Sequence, residues 1–216
     1  STECQGDPTS FINTSTDGPP GTYPIISWNW THSGGSYVSS TSTSQNPLYE
    51  YDTCGNSLTT LIVTDFYGCT NTTSKIVEVW CNPIAIINPV SPVCEGNPSI
   101  FTNSSIQLGD APIDTWSWNM GDGGTGTYVN GTSSTDSMPE YIYAGCDTFN
   151  VTLTVTDTNG CTHDTTIIVT VHCPPIANFS SSIECEGDST VFTDLSNVNT
   201  LIASGHSIVD WSWSFG

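Results

Sequence analysis

A two-residue alternation of apolar and polar positions is the clearest pattern in the chain. One segment sets four apolar residues between Asn and Thr residues: Phe149, Val151, Leu153 and Val155. Residues 157–160, Asp-Thr-Asn-Gly, have the composition of a turn, and the alternation resumes at Ile167, Val169 and Val171. The pattern predicts two half-buried strands joined as a hairpin. No segment carries a helical period over ten or more residues, so the chain is predicted to be all-β.

The chain also repeats itself. Cys4, Cys94 and Cys185 begin similar segments and lie 90 and 91 residues apart. A Trp-x-Trp pair follows each of these segments, at Trp28/Trp30, Trp116/Trp118 and Trp211/Trp213. Three further cysteines recur 92 residues later: Cys54, Cys69 and Cys81 correspond to Cys146, Cys161 and Cys173. The unit of about 91 residues has the size of a small sandwich domain.

The repeat predicts three regions. Residues 1–81 form a repeat that lacks its first strand, residues 82–173 form a complete repeat, and residues 174–216 form the N-terminal part of a third. We expect about seven strands in each repeat, arranged in two packed sheets. We also expect the natural chain to continue in both directions.

One motif carries a resemblance to a known family. WSWNMGDGG at 116–124, followed by YIYAGCDTFNVTLTVTDTNGCT at 141–162, resembles the PKD domain. The resemblance implies an immunoglobulin-like sandwich and so tandem PKD-type β-sandwich repeats. The first repeat departs from the motif, because WNWTHSGG at 28–35 lacks the Gly-Asp-Gly. As a tandem array, the repeats resemble the cell-surface and gliding adhesins of Bacteroidota.

Composition limits the partners and the compartment. The chain has 21 acidic residues and a single basic one, Lys75, so its formal net charge is −20. Such a chain cannot neutralise phosphates, which excludes nucleic acid as a partner. No apolar run is long enough to predict membrane insertion. Nine cysteines without metal-binding spacing predict disulfides, and so an extracellular protein. The resemblance to surface adhesins implies that it lies at the cell surface.

Four cysteines in a complete repeat allow three pairings within it. In a sandwich of the PKD type, Cys94 and Cys146 are expected in turns at the C-terminal end of the domain, which predicts the disulfide Cys94–Cys146. The same reasoning predicts Cys4–Cys54 in the first repeat. Cys161 and Cys173 are separated by twelve residues of strand. That is roughly 40 Å, too far for a disulfide within one domain.

The remaining cysteines are expected to bond across junctions. The last strand of the first repeat ends at Cys81, next to the hairpin that carries Cys161, which predicts an interdomain disulfide Cys81–Cys161. Three cysteines are then expected to bond residues outside this sequence: Cys69, Cys173 and Cys185. The alternative is that Cys81 and Cys173 pair locally or between chains.

Several residues are candidates for other chemistry. Asp122, with Asp110 and Asp114, is a candidate Ca²⁺ site, because Ca²⁺ takes several oxygen ligands; the alternative is that Asp122 caps backbone amides in a turn. Short Asp-Ser/Thr sequences resemble an O-glycosylation signal of Bacteroidota, with three acceptors: Ser137, Thr165 and Ser189. At least one Trp of each Trp-x-Trp pair is expected in the core, against the alternative of an exposed sugar platform.

No catalytic set is predicted. The four histidines, at 32, 163, 172 and 206, recur at no equivalent position, and no G-x-S-x-G nucleophile motif occurs. The resemblance to surface adhesins implies a structural or adhesive repeat segment of a long extracellular cell-surface filament or adhesin, stiffened by disulfides within and between repeats. Its expected partners are neighbouring repeats, identical chains and surface polysaccharide. The alternative is an accessory polysaccharide-binding module of an extracellular hydrolase, which would expose its Trp residues on flexible linkers.

Overall fold

The structure, a computed structural model, describes residues 3–18, 23–198 and 207–215. Within these ranges the chain forms sixteen β-strands and no helix. The described part therefore holds no helix that could span a membrane. The predicted all-β class is confirmed.

The first repeat contributes seven strands. They are β1 (Glu3–Cys4), β2 (Pro8–Ser10), β3 (Ile25–Thr31), β4 (Ser36–Tyr37), β5 (Leu48–Glu50), β6 (Gly55–Asp65) and β7 (Thr70–Trp80). They form a four-stranded sheet in the order β1-β7-β6-β3 and a three-stranded sheet in the order β2-β5-β4. β6 and β7 are a long antiparallel hairpin, whereas the short β1 runs parallel to the end of β7.

The second repeat forms two sheets of its own, equivalent to those of the first. Its strands are β8 (Val93–Cys94), β9 (Ser99–Ile100), β10 (Ile113–Asn119), β11 (Thr127–Tyr128), β12 (Glu140–Ile142), β13 (Thr148–Asp157) and β14 (Thr162–His172). The sheet orders are β10-β13-β14-β8 and β11-β12-β9. β13 and β14 are neighbours, as the alternation in the sequence predicts, and their apolar residues Val151, Leu153, Val155, Val169 and Val171 are buried.

The third segment forms only one strand pair among its described residues. β15 (Phe179–Ser181) and β16 (Phe192–Asp194) are antiparallel. Trp211 and Trp213 lie near this pair and are 51% and 41% exposed. The expectation that one Trp of every pair is buried is therefore wrong in this segment, because two strands cannot cover a large ring.

Aromatic side chains fill the cores of the first two repeats. Trp30 and Trp118 are buried, and each indole N–H donates to a backbone carbonyl, of Ser44 at 3.0 Å and of Asp136 at 2.9 Å. Here the expectation for the Trp-x-Trp pairs is confirmed. Phe101 is fully buried and its ring centroid lies 5.4 Å from that of Trp118.

The chain divides into two compact units. The first comprises residues 1–84, 105–115 and 155–163, and the second comprises residues 85–104, 116–154 and 164–216. The sheets follow the repeats, but the first unit also includes two segments of the second repeat, each a loop together with the adjoining strand ends. The domain boundaries at 81 and 173 stay a prediction.

Phe101→Ala tests the aromatic core. We expect a loss of about 3–5 kcal/mol in unfolding free energy, because the ring leaves a cavity against Trp118. Ile100→Ala is the matched control, since that neighbouring side chain is 59% exposed and its removal should change stability by less than about 0.5 kcal/mol. Urea unfolding of the two variants checks the difference, and equal losses would contradict the assigned core.

Candidate functional site: the disulfide-bonded junction

Two local structures carry the cysteines that matter most. The first is the cysteine turn, residues 4–7, with its equivalents at 94–97 and 185–188. The second is the cysteine hairpin, residues 157–161, with its equivalent at 65–69. Each is built by short-range hydrogen bonds that its own sequence supplies.

The cysteine hairpin is held by its first aspartate. Asp157 Oδ1 accepts hydrogen bonds from the backbone N–H groups of Asn159 and Cys161, both at 2.9 Å. Gly160 takes a φ of 87°, in the left-handed region that favours glycine. In the first repeat Asp65 Oδ1 accepts from Tyr67 and Cys69 at the same distances. The sequence Asp-x-x-Gly-Cys therefore forms the same hydrogen-bonded turn, with its cysteine at the same position, in both repeats.

The cysteine turn is positioned by β1. Cys4 pairs in parallel with Trp80, the last residue of β7, and the Gln5 N–H then donates to the Trp80 carbonyl at 2.9 Å. The turn closes with a 3.0 Å hydrogen bond from Asp7 N–H to the Cys4 carbonyl. Cys4 is thus placed beside the C-terminal end of the first repeat.

Cys4 forms a disulfide with Cys161, with the Cα atoms 5.5 Å apart and a sequence separation of 157. Cys161 does bond the first repeat, but the predicted partner Cys81 is wrong, and so is the predicted pair Cys4–Cys54. The reason is the parallel pairing of β1, which brings Cys4 to the same end of the repeat as Cys81.

The other two disulfides each close a hairpin. Cys54 bonds Cys81 and Cys146 bonds Cys173, with Cα–Cα distances of 4.8 and 4.9 Å and a spacing of 27 residues in both. The predicted Cys94–Cys146 and the assignment of Cys173 to a partner outside the sequence are therefore wrong. Each pair flanks two adjacent strands, so the open ends of the hairpin bring the sulfurs together. The local pairing considered as an alternative for Cys81 and Cys173 is the correct one.

Three cysteines remain unbonded and exposed: Cys69, Cys94 and Cys185. Partners outside this sequence for Cys69 and Cys185 stay a prediction. Cys94, which lies in β8, is the third unbonded cysteine, although the sequence predicted a bond to Cys146.

The junction in the first compact unit is packed as well as bonded. Thr158 N–H of the cysteine hairpin donates to the Pro112 carbonyl at 3.0 Å, and Ile84 and Ile106 exchange two backbone hydrogen bonds of 2.8 Å. Asn82 Nδ2 donates to the Gln5 carbonyl at 2.8 Å. Gly109 lies against the Cys54–Cys81 bridge, where a Cβ would be 3.7 Å from Cys81 Sγ. Non-covalent contacts therefore hold this end of the first repeat beside the disulfide.

Asp122 acts as a capping residue. Its carboxylate accepts hydrogen bonds from the Tyr141 hydroxyl at 2.8 Å and from the N–H groups of Gly124 and Gly126 at 2.9 and 2.7 Å. Burial raises the pKa of Asp122, but these bonds and one from Thr125 outweigh it and hold that pKa below its usual value. Asp110 and Asp114 belong to the first compact unit and Asp122 to the second, and a Ca²⁺ site formed by the three stays a prediction. Among the described residues no three His, Cys, Asp or Glu side chains form a metal-binding group.

The first repeat lacks the Gly-Asp-Gly of that loop and carries a histidine, His32, just before the equivalent position. His32 stacks on Tyr49 with ring centroids 4.1 Å apart and hydrogen-bonds Thr59 Oγ1 through Nδ1 at 2.9 Å. Its Nε2 is buried without a hydrogen-bond partner. Burial lowers the pKa of His32 to about 4. The corresponding residue of the second repeat is the buried Met120.

The glycosylation candidates differ in access. Ser189 is exposed in a loop, whereas Ser137 and Thr165 are partly buried, Thr165 within β14. Glycosylation of these residues stays a prediction. His206 lies outside the described residues.

A comparison with known protein families gives a match over the second repeat. Residues 80–173 match the family model of the PKD domain. This match supports a PKD or immunoglobulin-like domain in that part of the chain. A search of curated protein sequences gave no match.

Solved structures with related folds were also found. The PKD1 domain of Vibrio anguillarum Epp is 26% identical over 43% of this chain and 96% of that one, with a TM-score of 0.34. The fibronectin(III)-like modules of Clostridium thermocellum CbhA are 10% identical over 80% and 89% of the two chains, with a TM-score of 0.35. Bacteroides ovatus SGBP-B, solved with a mixed-linkage heptasaccharide, is 18% identical over 79% and 42%, with a TM-score of 0.29.

Asp122→Asn tests the capping role. An amide places N–H groups where the carboxylate accepts them, so we expect a loss of about 1–3 kcal/mol in unfolding free energy. The exposed Asp110→Asn is the control and should lie within about 0.5 kcal/mol of wild type. Urea unfolding is measured with calcium and with a chelator. A stabilisation by calcium that Asp122→Asn abolishes would contradict a purely capping role.

His32→Met tests the buried imidazole. The pKa of His32 is about 4 in the folded chain against 6.5 ordinarily, so the unfolded chain takes up a proton first as the pH falls. Stability should therefore fall between about pH 6.5 and pH 4. Met, the residue at the equivalent position of the second repeat, should remove this part of the pH dependence. Thermal unfolding across that range checks it, and parallel curves for both proteins would count against a neutral His32.

Proposed function

We propose that this chain is a structural or adhesive repeat segment of a long extracellular cell-surface filament or adhesin, stiffened by disulfides within and between its repeats. The observation that carries the proposal is the Cys4–Cys161 bond, which joins the first repeat to a hairpin of the second. A chain of repeats with an unbonded linker could bend at each junction. A covalent bond beside the linker restricts that motion.

The two kinds of disulfide support the proposal in different ways. Cys54–Cys81 and Cys146–Cys173 each close a single hairpin and stabilise one repeat, typically by about 2–4 kcal/mol. Cys4–Cys161 encloses most of two repeats and ties them to each other. The linker after Cys81 is also short and carries the fully buried Pro83, which limits its backbone freedom.

The chemistry of the surface supports an extracellular location. Three disulfides are typical of an oxidising compartment. A formal charge of −20 with one lysine repels anionic surfaces and leaves trypsin-like proteases a single site. Contact with a substratum is assigned to the outer loops and to any sugars attached there.

The polysaccharide-binding module is the less favoured alternative. It requires exposed Trp residues and flexible linkers, whereas Trp30 and Trp118 are buried. The exposed Trp211 and Trp213 belong to a segment with only one described strand pair, where rings that a sandwich would bury stay open.

Pulling the oxidised chain by its two ends tests the proposal. Cys4–Cys161 carries the load past the intervening residues, so they cannot extend. In the double variant Cys4→Ser/Cys161→Ser the hairpin disulfides still bridge residues 54–81 and 146–173, and about 100 residues are released. We expect an increase in contour length of roughly 35 nm, at about 3.5 Å per residue.

Cys69→Ser is the matched control, because it removes a cysteine that takes no part in these bonds. Its contour length should equal that of the wild type. A wild-type chain as long as the double variant would overturn the proposed stiffening, as would peptide mapping that finds Cys161 bonded elsewhere.

A further inference from the structure

The unbonded cysteines sit in copies of the two structures that form the junction. The cysteine turn at 94–97 closes with a 3.0 Å hydrogen bond from Asn97 N–H to the Cys94 carbonyl, and the turn at 185–188 closes from Asp188 N–H to the Cys185 carbonyl at 3.0 Å. These bonds match that of Asp7 to Cys4. The middle glycines Gly6, Gly96 and Gly187 have φ values of 85°, 83° and 95°.

Cys94 is also placed by the same strand pairing as Cys4. β8 runs parallel to β14 with Cys94 opposite His172, as β1 runs parallel to β7 with Cys4 opposite Trp80. The next residue, Glu95, donates its N–H to the His172 carbonyl at 2.9 Å, as Gln5 does to Trp80. Cys94 therefore presents its sulfur from the end of the second repeat as Cys4 does from the end of the first.

Burial distinguishes the bonded cysteines from their unbonded equivalents. Cys161 is buried and Cys4 is partly buried, and the two are bonded to each other. Cys69, the equivalent of Cys161, is exposed, as are Cys94 and Cys185, the equivalents of Cys4. Phe66 and Tyr67 of the cysteine hairpin at 65–69 are 63% and 64% exposed. At the equivalent position of the bonded hairpin, Asn159 lines the cavity of the junction beside Cys81 and Gly109.

We propose that each exposed cysteine is one half of the bond seen at Cys4–Cys161, and that its partner is the opposite half on another copy of this repeat. Cys94 and Cys185 would each bond the cysteine in the cysteine hairpin of a further repeat, and Cys69 would bond the cysteine in a cysteine turn. The inference rests on the proposed structural role, which it deepens by naming the partner. The occupant tested is a second copy of this chain.

Charge favours unlike halves over like ones. The turn at 185–188 carries carboxylates on both sides of its cysteine, at Glu184, Glu186 and Asp188. The turn at 94–97 carries Glu95 next to its cysteine. Two cysteine turns brought together would therefore place like charges within a few ångströms of each other, which is unfavourable. The hairpin at 65–69 carries a single carboxylate, Asp65, which accepts the backbone N–H groups of Tyr67 and Cys69.

The bond forms by thiol–disulfide exchange with a small-molecule disulfide. One protein thiolate attacks oxidised glutathione, which forms a mixed disulfide and releases one glutathione thiolate. The second protein thiolate then displaces the other glutathione. Two protein thiols are oxidised, two equivalents of reduced glutathione leave, and each protein thiol gives up one proton.

The experiment mixes isotopically light and heavy copies of the full chain in a glutathione redox buffer. Free thiols are then alkylated, and crosslinked peptides that contain one light and one heavy partner are identified by mass spectrometry. We expect only links of Cys69 to Cys94 or Cys185. Random pairing of three equally exposed thiols would put fewer than half of the links on these combinations.

Three variants sharpen the result. Cys69→Ser should abolish interchain links, since only turn cysteines remain, and Cys94→Ser/Cys185→Ser should abolish them too. Cys94→Ser alone should keep the link between Cys69 and Cys185. Circular dichroism of each variant checks that it folds.

Two outcomes would overturn the proposal. One is a comparable yield of links between identical cysteines, including dimers of Cys69→Ser. The other is the absence of any interchain link in a sample in which Cys4–Cys161 has formed completely. The same digest reports Cys4–Cys161 separately, so the proposed stiffening can survive while this inference fails.

Discussion

The parallel pairing of β1 with the end of β7 is the constraint on which the junction depends. It covers only two residue pairs, Glu3 with Val79 and Cys4 with Trp80. Without this pairing, nothing would place Cys4, a residue near the start of the first repeat, close to Cys161. With it, a residue from the start of the repeat lies where the repeat ends, beside the loops of the following one. The same two-residue pairing recurs in β8 and β14.

Acidic side chains do more in this chain than set its net charge. Asp65 and Asp157 hold the cysteine hairpins, and Asp122 holds the loop above the second core, in each case by accepting backbone N–H groups. A chain with almost no cations cannot balance its carboxylates by ion pairs. Backbone amides take that role at these positions, and the carboxylates fix local geometry through charge-assisted hydrogen bonds.

Much of the fold follows from the sequence, and the disulfide pairing does not. The alternation at 149–155 and 167–171 predicts the hairpin, and the recurrence of Cys and Trp predicts the repeat. Pairing depends on which strand ends lie together in space. The 27-residue spacing of Cys54 to Cys81 is two strands and a turn, so it could have indicated a bond across a hairpin's open end. Nothing in the two residues of β1 marks them as a strand, so the partner of Cys161 could not be read from the sequence.

The Cys4–Cys161 bond also changes what damage does to the chain. A single cut in the main chain at any peptide bond between these two cysteines leaves the flanking segments covalently joined through the sulfurs. The connection from one end of the protein to the other is therefore duplicated over 157 residues. Losing that connection therefore requires both a cut in the main chain and reduction of the disulfide, rather than a cut alone.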